Sequence, residues 1–230
     1  MEYLYIFFLI LDAYLAYRFI RKDSTLRGKL LASVPFVGSG FYLTFVSGNY
    51  HSLYAWLIVA GLVFSFLGDW LLKYNAFGMK GLPGIISFAV AHIFYIAAYI
   101  VRVPLSASDL WLVFPWCIMI VLEIAAKKKM KINLGATAPA VLVYAMIINV
   151  MVIAGIRTAV CTMAGGVSVL RSLMMIAGVI MFIVSDAGVC LMMFNGRTHF
   201  RIMNKTYDLD IFNIITYYGG QMLISAGVLV

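Results

Sequence analysis

Charged residues are scarce in this sequence of 230 residues: they make up 11% of the chain, whereas 64% of its residues are hydrophobic. A soluble domain is roughly one-quarter charged and one-half apolar, and the mean hydropathy of this chain is +1.02. The composition therefore excludes an ordinary soluble protein and predicts an integral membrane protein.

Cysteine and histidine are also rare, with three residues of each. The cysteines lie in or beside separate apolar runs, at Cys117, Cys161 and Cys190. This spacing predicts neither a disulfide framework nor a paired metal site. The three histidines are too dispersed to meet around one zinc ion, and neither a nucleophile elbow nor a phosphate-cradling loop is present. We therefore expect no metal and no cofactor, so that carboxylates must carry any catalysis.

Long polar segments are missing as well, which leaves no room for a soluble domain. A helix needs about 20 apolar residues to cross a bilayer, and eight runs of this kind predict an all-α fold, a polytopic membrane bundle of eight transmembrane helices. We take residues 1–230 as a single transmembrane domain, whose first span is a retained helix and not a removable signal peptide. The predicted spans are about 3–20, 29–46, 53–73, 83–101, 110–126, 134–156, 172–194 and 211–230.

The positive charges are distributed very unevenly between the two sides of the predicted bundle. Of the 17 Lys and Arg residues, all but Arg102, Arg157 and Arg171 lie in or beside the first, third, fifth and seventh connections. Short basic loops stay in the cytoplasm, so we expect both termini to be non-cytoplasmic. We expect a multi-pass protein of a bacterial cell membrane rather than of the endoplasmic reticulum.

Two short segments recur four spans apart. "LASVPF" (31–36) resembles "GATAPA" (135–140), and "FSFLGD" (64–69) resembles "FIVSDA" (182–187). An even offset keeps both copies in one orientation, which predicts a 4+4 parallel repeat; chance similarity is the alternative. In such a repeat Asp69 and Asp186 are equivalent and can face one another.

Four acidic residues lie inside the predicted spans: Asp12, Asp69, Glu123 and Asp186. An acid at a helix centre costs roughly 2.5–3.5 kcal/mol on insertion scales, so such residues usually face the bundle interior and mark a working site. Glu123 is explained without chemistry by an i,i+4 pair with Lys127. Asp12 has only apolar neighbours, which leaves a structural or a supporting role open.

Asp69 and Asp186 are the stronger candidates for a functional site. Each follows a small residue, Gly68 or Ser185, that allows a neighbouring helix to approach closely, and both are expected at a similar depth in the membrane. An ion pair with Lys73, one turn further on, is the structural alternative for Asp69.

Two polar stripes accompany these acids. The fourth span carries His92, Tyr95 and Tyr99, and the eighth carries Asn213, Tyr217 and Gln221, each set on one side of a helix. A lone buried histidine is more often structural, and tyrosines often mark membrane interfaces. Together with the two carboxylates, however, the stripes predict a polar cavity inside the bundle.

The motifs resemble those of the lysoplasmalogenase family of eight-helix membrane enzymes. The resemblance is carried by "FSFLGDWLL" (64–72), "FAVAHIFYIAAY" (88–99), "FIVSDAGVCLMMF" (182–194) and "ITYYGGQMLI" (215–224). Members often place a lysine before the proline of the second span, where this chain has Val34 before Pro35. A headgroup or carboxylate contact made by that lysine is therefore expected to be missing here.

The resemblance implies hydrolysis of the vinyl ether bond of lysoplasmalogens, which releases a fatty aldehyde and a glycerophospho-headgroup. This chemistry needs an acid to protonate carbon and an anion to stabilise an oxocarbenium ion, as two carboxyl groups do in glycoside cleavage. We expect Asp69 and Asp186 to be catalytic, with Asp69 favoured as the donor because it lies in the longer apolar run. The residues expected to hold water or substrate are His92, Tyr95, Asn213, Tyr217 and Gln221.

Other functions remain open at this stage. Intramembrane aspartates and a parallel repeat also suit a proton-coupled transporter or channel for a small molecule or lipid, and a lipid-binding scaffold or receptor is a third class. The partners expected for the hydrolase are a lysophospholipid substrate and the bilayer, without nucleic acid.

Overall fold

Eight long helices make up most of the computed structural model, which describes residues 2–22, 25–74, 81–202 and 205–230. The helices are α1 (Glu2–Arg21), α2 (Leu26–Val46), α3 (Leu53–Tyr74), α4 (Leu82–Arg102), α5 (Val113–Lys129), α6 (Ala138–Ala164), α7 (Val169–Asn195) and α8 (Leu209–Ala226). Each predicted span overlaps one of them, so the prediction of a helical bundle is confirmed.

One predicted boundary is clearly wrong. The sixth span was expected to end at residue 156, before Arg157, whereas α6 continues to Ala164. Arg157 remains helical because its guanidinium donates to both carboxylate oxygens of Asp109, at 2.6 and 2.7 Å, and to the carbonyl oxygen of Val103 at 2.7 Å. The arginine thus ties α6 to the α4–α5 connection.

The sequence analysis also missed a small β-hairpin between α7 and α8. Strand β1 (His199–Ile202) pairs antiparallel with β2 (Lys205–Asp208), and His199 lies opposite Asp208. The Phe200 and Tyr207 rings stack with their centroids 5.5 Å apart, and Phe200 also contacts Phe212 on α8. Asp208 then caps α8 by accepting from the backbone N–H groups of residues 210 and 211.

Six helices form a closed ring, and two lie outside it. Around the ring, α2 packs on α3, α3 on α4, α4 on α6, α6 on α7, α7 on α8, and α8 on α2. Helix α1 packs against α2 and α8, whereas α5 contacts the ring mainly through α6. If α1–α4 and α5–α8 are equivalent halves, the order of helices around the ring is the one that a pseudo-two-fold axis would produce. The 4+4 repeat itself stays a prediction.

Helices α3 and α4 come unusually close together because small residues lie at their contact. A Cβ atom built on Gly84 would lie 2.9 Å from the backbone nitrogen of Leu72, and one on Gly68 would lie 2.7 Å from the Phe88 ring. Gly68 therefore allows α4 to pack directly beside Asp69, as expected from small residues at membrane helix interfaces.

Six helices, α2 to α7, are long and apolar enough within the described residues to cross a membrane. Helix α1 carries four charged residues, Glu2, Asp12, Arg18 and Arg21, and α8 carries polar side chains along its length. Much of α8 is nevertheless buried against its neighbours, so its polar groups face the protein interior. The structure thus supports a polytopic helical membrane protein with six candidate spans.

Candidate active site

A cavity of about 390 Å³ opens among seven of the eight helices. Its walls come from the last turns of α1, α3 and α7 and from the first turns of α2, α4, α6 and α8. We call this the basic end of the bundle, because the lysine-rich connections of the sequence meet there. The volume lies in the range of pockets that bind small molecules, and most of the lining is apolar with a few polar groups.

Asp69 and Asp186 both line this cavity. They come from different halves of the chain, Asp69 near the end of α3 and Asp186 about two-thirds of the way along α7. The aspartate carboxylate on α3 is 1% exposed, whereas that on α7 is 18% exposed. The two carboxyl groups therefore share one cavity but differ in how far they open into it.

Asp69 is contacted by three polar neighbours. Lys29, in the first turn of α2, places its ammonium 3.0 Å from Asp69 Oδ1. Ser33 Oγ and the Tyr217 hydroxyl both donate to Asp69 Oδ2, at 2.7 and 2.8 Å. Both carboxylate oxygens of Asp69 are therefore occupied by polar groups from α2 and α8.

The Lys29 contact corrects one expectation from the sequence. The resemblance implied that a lysine contact near Pro35 is missing, since Val34 occupies the usual lysine position; Val34 is indeed exposed on the outside of the bundle. Lys29, five residues earlier on the same helix, supplies a lysine–carboxylate contact instead. The alternative partner, Lys73, has a side chain outside the described residues.

Asp186 belongs to a chain of three side chains. The Tyr144 hydroxyl on α6 donates to Asp186 Oδ2 and lies 2.9 Å from His92 Nε2 on α4. His92 Nε2 itself is 3.8 Å from Asp186 Oδ2. Within the described residues Asp186 Oδ1 forms no hydrogen bond, so one oxygen of this carboxyl group is available to a ligand in the cavity.

Of the expected binding residues, Asn213 and Tyr217 line the cavity, whereas His92 does not; it contacts Tyr144, and its Nε2 atom is 3.8 Å from Asp186 Oδ2. Asn213 Oδ1 accepts from Ser185 Oγ at 2.8 Å, which joins α8 to α7 beside Asp186. Tyr217 touches Asp69 directly.

Tyr95 and Gln221 lie deeper in the bundle and do not line the cavity. The Tyr95 hydroxyl donates to Gln221 Oε1 at 3.0 Å, and Ser65 Oγ lies 3.4 Å from the same hydroxyl. All three side chains are fully buried. The structure therefore separates this polar cluster from the cavity, and its evident role is to join α3, α4 and α8.

The other two acids inside the predicted spans lie apart from the cavity, whereas Asp210, in the first turn of α8, also lines it. Asp12 is 6% exposed on α1 and does not line it. Glu123 on α5 lies beside Asn149 of α6. The expected Glu123–Lys127 ion pair is not formed among the described residues.

The most important residues that sequence reasoning missed are Lys29, Ser33 and Tyr144. Lys29 was counted only as a cytoplasmic charge, and Ser33 is an unremarkable small residue inside an apolar run. Tyr144 has only apolar residues three and four positions away on α6, so no polar stripe marks it. In the described residues no group of three His, Cys, Asp or Glu side chains is placed to hold a metal ion.

The fold and this cavity define a polytopic helical membrane protein with an internal cavity lined by the carboxyl groups of Asp69, Asp186 and Asp210. The model of the YhhN family matches residues 29–228, and the chain belongs to that family. YhhN is the family of lysoplasmalogenases, so the resemblance predicted from the motifs is confirmed. Searches of curated proteins and of solved structures found no match to the chain.

Proposed function

We propose that this protein is a membrane hydrolase that cleaves the vinyl ether bond of lysoplasmalogens to a fatty aldehyde and a glycerophospho-headgroup. The observation that carries the proposal is that Asp69 and Asp186 line one cavity in unlike surroundings. Acid catalysis with separate acid and counter-ion roles requires such a difference. Family membership supports the same chemistry.

Asp186 is the proton donor in this proposal, and Asp69 is the counter-charge. The sequence favoured the opposite assignment, because Asp69 lies in the longer apolar run. The contacts of Asp69 argue against a donor role, since Lys29, Ser33 and Tyr217 already present an ammonium group and two hydroxyl donors to its oxygens. Asp186 is more exposed to the cavity, and within the described residues its Oδ1 atom has no hydrogen-bond partner and can be directed at the substrate.

The reaction proceeds in three steps. Asp186 transfers its proton to the β-carbon of the enol ether; the π electrons form the new C–H bond and the ether oxygen stabilises the resulting oxocarbenium ion. Water then attacks the oxocarbenium carbon and returns a proton to Asp186, which gives a hemiacetal and regenerates the acid. Finally the hemiacetal C–O bond to glycerol breaks, the glycerol oxygen takes the hemiacetal proton and the aldehyde is released. One water molecule is consumed.

Tyr144 and His92 orient the acid. Tyr144 holds Asp186 Oδ2, and His92 Nε2 holds the tyrosine hydroxyl in turn, so the other carboxyl oxygen is directed to the reacting carbon. Such orientation matters because a general acid must lie within hydrogen-bonding reach of the atom that it protonates. Asn213, fixed by Ser185, is placed to hold the attacking water.

The cavity also suits the shape of a lysolipid. Phe88, Val189 and Met193 supply an apolar wall for the alkenyl chain. The Lys29 ammonium lies in the same cavity, where it can bind the phosphate of the headgroup. The chain therefore lies among the helices while the headgroup points to the basic end.

All eight helices cross the bilayer in this proposal, and residues 1–230 act as one transmembrane domain. Helix α8 crosses with its polar groups turned inward, and α1 crosses beside it. The basic end then faces the cytoplasm and both termini face away from it, in a bacterial cell membrane.

The proposal is tested with the purified full-length protein in detergent. We expect aldehyde release from a vinyl ether lysophospholipid with a choline or ethanolamine headgroup, and no fatty acid release from the matched acyl lysophospholipid. A proton-coupled transporter, the alternative, would release no aldehyde but would move protons with its substrate across sealed proteoliposomes. That pair of results would overturn the hydrolase proposal.

A further inference from the structure

A second pocket lies at the basic end, between the end of α5 and the start of α6. Its volume is about 590 Å³. It is lined by Lys127, Lys128, Lys131 and Asn133, with an apolar wall that includes Ile124 and Ile132. We call it the lysine pocket. It is distinct from the active-site cavity, since the two share no lining residue in the part of the chain that the structure describes.

The backbone after α5 folds so that its lysines surround this pocket. Ile132 N–H donates to the carbonyl oxygen of Lys127 at 3.0 Å, and Lys131 N–H donates to that of Lys128 at 3.3 Å. This pair of bonds is the Schellman pattern of a helix end, in which glycine usually occupies the left-handed position. Here that residue is Lys131, with φ of 54°.

A lysine in the left-handed conformation costs free energy that glycine does not. The strained residue is therefore a reason to look for a function of its side chain. The turn is also fixed from outside, because Asn195 Nδ2 at the end of α7 donates to the carbonyl oxygen of Met130 at 3.2 Å.

The positive charge of the lysine pocket is not neutralised by the protein. In the part of the chain that the structure describes, none of its three lysines forms an ion pair with a carboxylate. The acid expected to pair with Lys127, Glu123, lies beside Asn149 instead. Three ammonium groups around one concave surface favour an anionic ligand.

The position of α5 indicates that this ligand is a lipid. None of its side chains is buried in the protein, and large apolar ones such as Val121 and Leu122 are exposed. The candidate span that contains α5 ends at Lys129, so the lysine pocket lies where hydrocarbon gives way to headgroups. Lysines at this level attract anionic lipids, and the apolar wall suits the first carbons of acyl chains, which free phosphate lacks.

We infer that the lysine pocket binds the phosphate headgroup of an anionic phospholipid. The lysine ammonium groups bind the phosphate, Asn133 binds the polar headgroup, and Ile124 and Ile132 contact the start of an acyl chain. This site is separate from the catalytic cavity and does not depend on the proposed hydrolysis.

The test uses the full-length protein in a neutral detergent, titrated with phosphatidylglycerol, phosphatidylcholine or inorganic phosphate, with bound ligand counted by native mass spectrometry. Phosphatidylglycerol is expected to bind at least about tenfold more tightly than phosphatidylcholine. The variant K127Q/K128Q/K131Q is expected to lose about tenfold or more of that affinity. Saturable binding of inorganic phosphate that equals the lipid in affinity would overturn the lipid assignment.

Matched variants distinguish a site from a general charge effect. R21Q/K22Q/K205Q removes the same charge from three exposed residues outside the lysine pocket and is expected to change the affinity less than about twofold. Lys131→Gly keeps the left-handed turn and removes one ammonium group, and is expected to weaken binding about fivefold. Equal losses in the two triple variants, or equal binding of the two lipids, would contradict the proposal.

Discussion

Lys29 and Asp69 form an ion pair of 3.0 Å between the first turn of α2 and the end of α3, with the carboxylate 1% exposed. The pair fixes a negative group in the cavity wall and joins two neighbouring helices of the ring. Ser33, one turn after Lys29, binds the same carboxylate. A single turn of α2 therefore supplies two of the three polar contacts of this acid.

Removing the cation of this pair should destabilise the protein. In Lys29→Met the Asp69 carboxylate stays buried without its partner, and breaking a buried pair from one side costs about 3 kcal/mol or more. We expect a lower midpoint of thermal unfolding in detergent. We also expect a higher KM for the lysolipid, since Lys29 lines the cavity.

The double variant K29M/D69N is the control for that prediction. It removes both charges, so its loss of stability should be smaller than the sum of the two single losses. If the single losses simply add, Lys29 and Asp69 do not interact in the folded protein.

We expect Tyr144 and His92 to position the Asp186 carboxyl group together, with His92 acting through Tyr144. Tyr144→Phe removes the hydroxyl that holds Asp186, and we expect kcat for aldehyde release to fall at least about tenfold, within the range of general acid effects. Tyr14→Phe, which changes an exposed tyrosine on α1, should leave kcat unchanged.

Combining Tyr144→Phe with His92→Gln tests whether the two residues position the Asp186 carboxyl group as one unit or contribute to kcat independently. Since His92 contacts the acid through Tyr144, the variant H92Q/Y144F should be about as slow as Y144F alone. Residues that act as a unit show such non-additive effects. Multiplicative losses in kcat would contradict the chain of contacts.

The close approach of α3 and α4 should be sensitive to a single methyl group. In Gly84→Ala the new carbon would lie 2.9 Å from the Leu72 backbone nitrogen, and backbone yields less readily than a side chain. Overpacking of this kind costs about 1–3 kcal/mol, measured as a lower unfolding midpoint. Gly165→Ala is the matched control because its added carbon would make only contacts of 3.4 Å or longer.

The helices could be predicted from the sequence because long apolar runs leave few alternatives to helix in a membrane. The hairpin strands β1 and β2 could not, since each has only four residues and neither shows a long apolar run. The end of α6 was misplaced because Arg157 looks like a loop charge until its partner Asp109, 48 positions away, is known.

The candidate site was predictable only where residues share a helix or a motif. Asp69, Asp186, Asn213 and Tyr217 were expected together, and all four line the cavity. The polar stripe on α4 did not predict the cavity lining. Helical spacing shows which residues share a face of the helix, but it does not show how far the cavity extends along that face. Neither His92 nor Tyr95, which lies one turn further from the basic end, lines the cavity.

The role of Asp186 can be measured most directly by comparing aldehyde release from a vinyl ether lysophospholipid by the wild-type protein and by Asp186→Asn. An amide keeps the shape of the side chain but has no acidic proton to give to carbon. With an unchanged unfolding midpoint, kcat should fall about 10²–10⁴-fold. A variant that stays within about twofold of the wild-type rate would contradict the assignment of Asp186 as the acid.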